Sequence, residues 1–220
     1  MSSVRIMCAL GFGEANMFKT IIAVCLLVLT TCSYAKKPDP VKGKAVASGV
    51  CYACHGLEGV SPIPTQPHLA GQVQEYIVKQ IENMKSVNGA PPERENLVMS
   101  GIVPMLSDAD IQNVAAWYAE QKPHTASAHS QQSVVIGEHL WRAGDTIRGI
   151  PACASCHGPT GAGVPSQYPR LSGQYREYTE TQLLHFKSGA RHNSAIMMAI
   201  ASRLSNEEIS ALADFTAGLR

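Results

Sequence analysis

The chain has 220 residues, of which 45% are hydrophobic and 16% are charged, a balance typical of one or two globular domains and not of a disordered or collagen-like chain. Its formal net charge is only +1 with histidine neutral. A nearly neutral chain has no large basic or acidic field, which argues against nucleic acid or another polyanion as its partner.

The first element along the chain is an apolar run, Ile21–Leu29, which follows Lys19 and precedes the small-x-small sequence of 33–35. A basic start, a short apolar stretch and such an exit are typical of a secretory signal peptide. The run is also short for a membrane-spanning helix. We therefore predict a signal peptide over residues 1–35, with Met17 as an alternative start, and a mature protein in the periplasm.

The cysteines fall into two groups once this segment is removed. Three of the seven leave with it, including Cys32, whose setting resembles a lipoprotein cleavage site but ranks below simple cleavage after residue 35. The other four form two identical motifs, Cys51-Tyr52-Ala53-Cys54-His55 and Cys153-Ala154-Ser155-Cys156-His157. Four cysteines in an exported protein can form a disulfide framework, but the identical spacing and the fixed histidine argue against one.

The remaining predicted elements are helices. In chain order they are Val41–Ser48, Gln72–Lys85, a helix capped by Ser107–Asp110, Ser133–Arg142, Gln174–Lys187 and a helix capped by Ser205–Glu208. Both caps are Ser-x-x-acid boxes that precede apolar residues at helical spacing. Gly- and Pro-rich loops separate the helices, and no segment alternates as a strand does, so the predicted fold class is all-α.

The chain is an internal duplication, since a shift of 102 residues superimposes the two cysteine motifs. The shift becomes 98 residues beyond four extra residues around Asn88–Pro92. A repeat of this length is a domain and not a short solenoid unit. The polar stretch Lys122–Ser130 has no apolar periodicity and is predicted to be an exposed linker. The predicted boundaries are 36–125 for the first domain, 126–130 for the linker core and 131–220 for the second domain.

Each Cys-x-x-Cys-His motif predicts one covalently attached haem c, because two thiols so spaced can add to the two haem vinyl groups while the histidine reaches the iron. The predicted attachment residues are Cys51, Cys54, Cys153 and Cys156, and the predicted axial histidines are His55 and His157. Zinc is a weaker alternative, because it needs four N or S ligands and each half offers only one cysteine pair and one nearby histidine. A thioredoxin-like redox pair needs a strand–helix context, which the sequence lacks.

The sixth iron ligand decides whether such a site carries electrons or binds a substrate. Met99 and Met197 are the only methionines that coincide between the halves, so we predict that they are the second axial ligands. Met198 is the alternative to Met197, because spacing does not separate neighbours. We interpret Met84 and Met105 as core residues, the usual role of methionine on a helix.

Other repeated residues lie where they can support a haem. Pro67 and Pro169 follow the two motifs at equal distance, and a proline carbonyl there either accepts the N–H of the axial histidine or belongs to an ordinary loop. Four further residues fit either haem carboxylates or a helix surface, namely Gln72, Tyr76, Gln174 and Tyr178.

These motifs resemble those of the cytochrome c4 family of two-haem cytochromes c. The resemblance rests on paired Cys-x-x-Cys-His, Pro-x-Leu-x-Gly-Gln-x-x-x-Tyr and Met-x6-Leu-Ser motifs and covers nearly all of the mature chain. It implies two tandem class I cytochrome c domains related by a pseudo-twofold axis, with His–Met ligation of both irons. It also implies electron transfer in the periplasm, from a respiratory complex towards a terminal oxidase, with peripheral association with the membrane.

We expect an electron carrier and not an enzyme, with redox proteins as partners. The alternative is a haem enzyme, or the electron-accepting subunit of a periplasmic dehydrogenase, either of which is favoured by an iron with an open or displaceable sixth position. The matching methionines in the two halves favour the carrier.

Overall fold

The computed structural model describes residues 37–220, so the predicted signal peptide, Met17 and Cys32 lie outside the described residues. Regular structure in residues 37–220 is helical, and antiparallel pairing there is limited to three isolated bridges. The all-α prediction is confirmed. No helix in this part of the chain is both long enough and apolar enough to cross a membrane.

The two halves repeat one order of helices. The N-terminal half contains α1 (Pro40–Val46), α2 (Tyr52–His55), α3 (Gln74–Asn83), α4 (Met99–Ile102) and α5 (Asp108–Ala119). The C-terminal half contains α6 (Gln131–Arg142), α7 (Ala154–His157), α8 (Arg176–Ser188), α9 (Ala195–Ala201) and α10 (Asn206–Gly218). A π-helical turn, Ala47–Cys51, joins α1 to α2, and a 3-10 turn, Val103–Met105, follows α4. The repeat predicted from the sequence is therefore visible in the order of the helices.

The predicted helix ends agree with the structure where local chemistry sets them. Ser107 and Ser205 begin α5 and α10 with reciprocal capping boxes, as predicted. In contrast, α3 begins two residues later than predicted, because the Gln72 side chain accepts the backbone N–H groups of Val73 and, from the other half, Arg170. The sequence pattern also did not predict α4 and α9, which are too short for apolar periodicity to mark them.

The first and last helices of each half cross at a glycine. Gly43 of α1 lies against α5, where an added Cβ would collide with the backbone carbonyl of Asn113. Gly137 of α6 lies against α10, where an added Cβ would be 2.6 Å from the carbonyl oxygen of Ala211. Only glycine permits such an approach, because it has no side chain. In the N-terminal half, the π-helical turn Ala47–Cys51 leads directly from α1 into the cysteine motif.

The predicted linker, Lys122–Ser130, has no helix, but its predicted exposure is only partly right. Asp214 of α10 is fully buried and binds the end of this segment. Its carboxylate accepts the backbone N–H groups of His129 at 2.9 Å and Ser130 at 3.1 Å. The segment is therefore held against the second half, and the domain boundaries at 125 and 131 stay a prediction.

Two glutamine side chains join the halves in an exchanged pattern. The Gln72 amide donates to the carbonyl oxygen of Arg170 at 3.0 Å and accepts its N–H at 2.8 Å. Gln174 makes the same two bonds with His68, at 3.0 and 2.9 Å. Both amides are buried, so neither glutamine is a helix-surface residue. The exchange of equivalent partners is the contact pattern of a pseudo-twofold axis.

We expect Gly137→Ala to lower the free energy of unfolding by about 1–3 kcal/mol, because the added methyl group overpacks the crossing of α6 and α10. Gly101→Ala is the matched control, since an added Cβ there meets nothing within 4 Å. It should leave stability unchanged or raise it by about 0.5–1 kcal/mol, because alanine is the better helix residue. Denaturant unfolding of the haem-loaded proteins, followed by circular dichroism, measures both. Equal effects of the two substitutions would contradict the tight crossing.

Asp214 gives the fold a dependence on pH. Burial raises the pKa of Asp214, but the hydrogen bonds from His129 and Ser130 outweigh it and hold the pKa below its ordinary value of 3.8. Because the folded pKa is the lower one, the carboxylate stabilises the fold fully above about pH 5, and this contribution is lost as pH falls through the folded pKa.

Asp214→Asn should therefore lower the free energy of unfolding by about 1.5–3 kcal/mol at neutral pH, since it removes hydrogen bonds to a charged acceptor. The difference from the unsubstituted protein should shrink as the pH approaches about 3. Asp108→Asn is the control, because 93% of the Asp108 side chain is exposed. Unfolding midpoints measured across this pH range test the idea, and a loss that does not depend on pH would rule out the carboxylate as its source.

Candidate haem sites

A continuous cavity of about 390 Å³ extends across both halves of the described chain. Cysteine, histidine and methionine side chains from each half line it, together with apolar residues of the helices. The predicted site residues among them are Cys51, His55, Met99, Cys153, Cys156, His157 and Met197. Cys54, the remaining predicted residue, is partly exposed on α2 and does not contribute to the lining. The structure thus brings the two predicted ligand sets to one cavity.

None of the four cysteines of the motifs forms a disulfide, and all four are partly exposed. The four are Cys51, Cys54, Cys153 and Cys156. Burial raises the pKa of Cys51 and of Cys153 to about 11. A raised pKa is the opposite of the lowered pKa that makes the cysteines of redox motifs reactive. Among residues 37–220, no three His, Cys, Asp or Glu side chains cluster in a way that would hold a metal ion.

The two histidines of the motifs have the same environment. Nδ1 of His55 lies 3.0 Å from the carbonyl oxygen of Pro67, and Nδ1 of His157 lies 3.0 Å from that of Pro169. A carbonyl oxygen only accepts, so Nδ1 carries the proton and Nε2 keeps its lone pair. Burial lowers the pKa of both imidazoles, which favours the neutral form that binds iron. Both prolines therefore make the contact that orients an axial histidine.

Short helices present the two methionines. Asn96 lies in the turn before α4 and accepts the N–H of Met99 at 2.9 Å, and Ser194 caps α9 by accepting the N–H of Met197 at 3.3 Å. Asn96 and Ser194 are repeat equivalents at a shift of 98 residues. The sequence carried this signal, because both residue types are common helix caps. These bonds fix the backbone at the two predicted ligands.

Other methionines differ in where they lie. Met84 is buried and also lines the cavity. Met105 and Met198 are not among the described residues of its lining, and Met105 is 58% exposed, so its interpretation as a core residue was wrong. This arrangement favours Met197 over its neighbour, and the ligand assignment stays a prediction.

Two buried arginines at the cavity were not predicted. Arg94 and Arg191 occupy equivalent positions in the two halves. Their backbone N–H groups donate to the backbone carbonyl oxygens of Asn83 and His185, which are 102 residues apart. The two arginines are 97 residues apart in the sequence. The repeat shift of 98 residues, which aligns Met99 with Met197, places Arg94 opposite His192 instead. A one-residue slip therefore hid the pair.

The residues present fit a haem in each half. Each half offers a Cys-x-x-Cys pair that forms no disulfide, each oriented imidazole has a free Nε2, and a methionine from each half lies in the same cavity. The lining is largely apolar and its charged side chains are cationic, which suits a flat hydrophobic group that carries carboxylates.

Comparison with known proteins bears on these sites. The cytochrome c family model matches residues 40–121 and 142–219, one match in each half. Cytochrome c4 of Azotobacter vinelandii is 40% identical over 211 residues, which cover 92% of this chain and 100% of the relative. The chain belongs to the cytochrome c4 family. Its two covalently bound haem c groups and its two tandem cytochrome c domains, both predicted from the sequence, are confirmed.

Two further relatives extend the comparison. The crystal structure of reduced recombinant cytochrome c4 from Pseudomonas stutzeri has a TM-score of 0.79 and 39% identity, over 83% of this chain and 100% of that one. A protein named thiosulfate dehydrogenase electron acceptor, from Thiomonas intermedia strain K12, is 36% identical over 172 residues. That match covers 76% of this chain and 77% of the relative. The chain is therefore a dihaem electron-transfer protein by family.

We expect Met197→Leu to leave one of the two irons able to bind carbon monoxide in the reduced protein, because leucine offers no ligand atom. Met99→Leu should do the same at the other iron. Met198→Leu is the matched control and should leave the visible spectrum unchanged by carbon monoxide. Spectra of the three reduced variants with and without the gas measure this. Binding by the Met198 variant and not by the Met197 variant would reassign the ligand.

Proposed function

We propose that the chain is a periplasmic electron carrier in which His55 and Met99 ligate one iron and His157 and Met197 ligate the other. The observation that carries the proposal is the repetition of the whole set: a cysteine motif, an oriented histidine and a methionine reach one cavity from each half. Haem supplies one-electron iron chemistry when bound, and an axial methionine raises its reduction potential.

The chain's own residues hold the ligands in place. Pro67 and Pro169 keep each imidazole in one tautomer and one orientation. Asn96 and Ser194 fix the backbone at each methionine. Ligands held in this way need little rearrangement when the charge of the iron changes by one. Rigid, closed sites of equal construction suit electron exchange with other proteins better than substrate binding.

We propose export by the signal peptide of residues 1–35 and peripheral association with the membrane. The partners are then a respiratory complex as electron donor and a terminal oxidase as acceptor. The expectation of this route comes from the family resemblance of the sequence motifs and from the composition of the N-terminal segment.

A second candidate function is that of electron acceptor for a thiosulfate dehydrogenase. The observation that favours it is the 36% identity to the Thiomonas intermedia protein of that name. The chain remains an electron carrier in this role, and only the donor differs. The two proposals are separated by the donor and not by the structure of the haem sites.

The carrier is tested on the haem-loaded protein, reduced and then exposed to carbon monoxide. An unchanged two-haem spectrum is expected, because both irons have two protein ligands. A shift at one haem would mean an open or displaceable position and would overturn the carrier in favour of a haem enzyme.

The donor is tested by mixing the oxidised protein with a purified thiosulfate dehydrogenase plus thiosulfate, or with a purified quinol-oxidising complex plus quinol. Reduction is followed by the visible absorbance of the haems. Faster reduction by the quinol-oxidising complex supports the respiratory route. Faster reduction by the thiosulfate dehydrogenase moves the assignment to the second candidate.

A further inference from the structure

Arg94 lies between the two halves of the molecule. Its Nη1 donates to Gln80 of its own half at 2.8 Å. Its Nη2 donates to the hydroxyl of Tyr178 at 2.9 Å and to the side-chain oxygen of Gln182 at 3.0 Å, both in the other half. Arg94 as a whole residue is only 7% exposed, so its guanidinium bonds to these side chains instead of to water.

Arg191 repeats this arrangement from the opposite side. Its Nη1 donates to Gln182 of its own half at 2.8 Å. Its Nη2 donates to Tyr76 at 3.0 Å and to Gln80 at 2.9 Å in the other half. Arg191 is 6% exposed. Each guanidinium therefore binds both halves, and the two share the amides of Gln80 and Gln182.

The partners of both arginines are neutral. They are amide and phenol groups, and no ion pair of either arginine occurs among the described residues. Burying a cation without an anion is costly, even when its hydrogen bonds are made. Two such cations side by side therefore indicate an anion that the chain itself does not supply.

The cavity around them has the charge of an anion-binding site. Its described lining contains no Asp or Glu, whereas its cationic residues are Lys79, Arg94, Arg170 and Arg191. Burial alone raises the pKa of Tyr178, yet the two neighbouring guanidiniums lower it below its ordinary value. The lining also holds two buried nitrogens without a hydrogen-bond partner in the described chain, Nε2 of His68 and Nε of Arg170. The region is thus positive and has unused donors.

We propose that Arg94 and Arg191 are the counterions of the propionate carboxylates that the two haems bring into this cavity, and that the pair couples the two reduction potentials. The two propionates on each haem match the four cationic side chains of the lining, two from each half. Guanidinium is suited to this role, because it stays charged and each of the two keeps at least one N–H that the described chain does not use. The inference rests on the presence of two haems and not on the proposed methionine ligands or partners.

Coupling follows from the crossed contacts. A cation near an iron favours the reduced state, because reduction adds a negative charge. Each guanidinium bonds to residues of both halves, so its removal alters the surroundings of both haems. Arg94→Gln and Arg191→Gln should each lower both reduction potentials. We expect a three- to tenfold smaller equilibrium constant for reduction at each haem, where tenfold is about 59 mV for one electron.

The experiment is a spectroelectrochemical titration of the haem-loaded variants at about 0.1 M and about 1 M salt. Arg142→Gln is the matched control, since it makes the same chemical change on a side chain that is 63% exposed. Its small effect should vanish at high salt, whereas the effect of the buried arginines should persist. Tyr178→Phe removes a hydrogen bond of Arg94 but no charge, and should change the potentials less than Arg94→Gln does.

Arg94→Lys and Arg191→Lys keep the charge and should recover most of each shift, which a merely structural role would not predict. These variants also keep the test decisive if a glutamine variant fails to fold. Unchanged potentials in the glutamine variants, or shifts equalled by Arg142→Gln or Tyr178→Phe, would overturn the assignment as counterions. A shift confined to one haem would overturn the coupling. Carbon monoxide spectra of the same samples report separately on whether both irons remain closed.

Discussion

A positive charge that is buried between the halves is the constraint on which the rest of the structure depends. Arg94 and Arg191 have lost most of their contact with water and are held by neutral amides and phenols from both halves. Such a centre forms only when the halves meet, because each arginine takes two of its partners from across the boundary. The polar contacts of this interface must therefore all be satisfied for the halves to meet in this way.

The other contacts across the boundary obey the same rule. Gln72 and Gln174 each pair with both backbone groups of a residue in the opposite half, so the nitrogen and the oxygen of each amide both have a partner. A shift of one half against the other would break these bonds together with those of the arginines. The relative position of the two halves, and with it the shape of the shared cavity, is thereby fixed by hydrogen-bond geometry.

Much of this molecule could be predicted from the sequence, because its signals are local. The cysteine motifs, the capping boxes and the duplication depend on short spacings, and the family and fold that they implied are confirmed. The parts that were not predicted depend on contacts between distant residues. Gln72 delays the start of α3 because it binds Arg170, which is 98 residues away. The linker is held by Asp214, which lies 85 residues beyond His129 in the sequence, and the composition of the linker does not indicate that contact.

The arginine pair shows a different limit of sequence reasoning. A single repeat shift describes both halves only where their segments have equal lengths. Relative to the second half, the first half has five more residues between Asn83 and Arg94 and one fewer between Arg94 and Asn96. Insertions in an exposed loop cost little, so the loop changed length while its last residue kept its contact. Arg94 and Arg191 therefore occupy equivalent places in the fold, although neither the 102-residue nor the 98-residue shift pairs them.

The two halves repeat the fold more faithfully than they repeat the charge. Lys79 of the first half corresponds to Thr181 of the second, and Arg170 of the second corresponds to His68 of the first. Burial and the neighbouring His124 lower the pKa of His68 to about 4, so it is neutral at pH 7.

Each half thus places two cations on the cavity, but at different depths. Lys79 is exposed and screened by water, whereas Arg170 is partly buried and its Nε has no contact with solvent. A buried cation acts more strongly on a nearby charge than an exposed one does. Identical predicted ligands therefore stand in unequal electrostatic surroundings, and the deeper cation lies on the side of the second half.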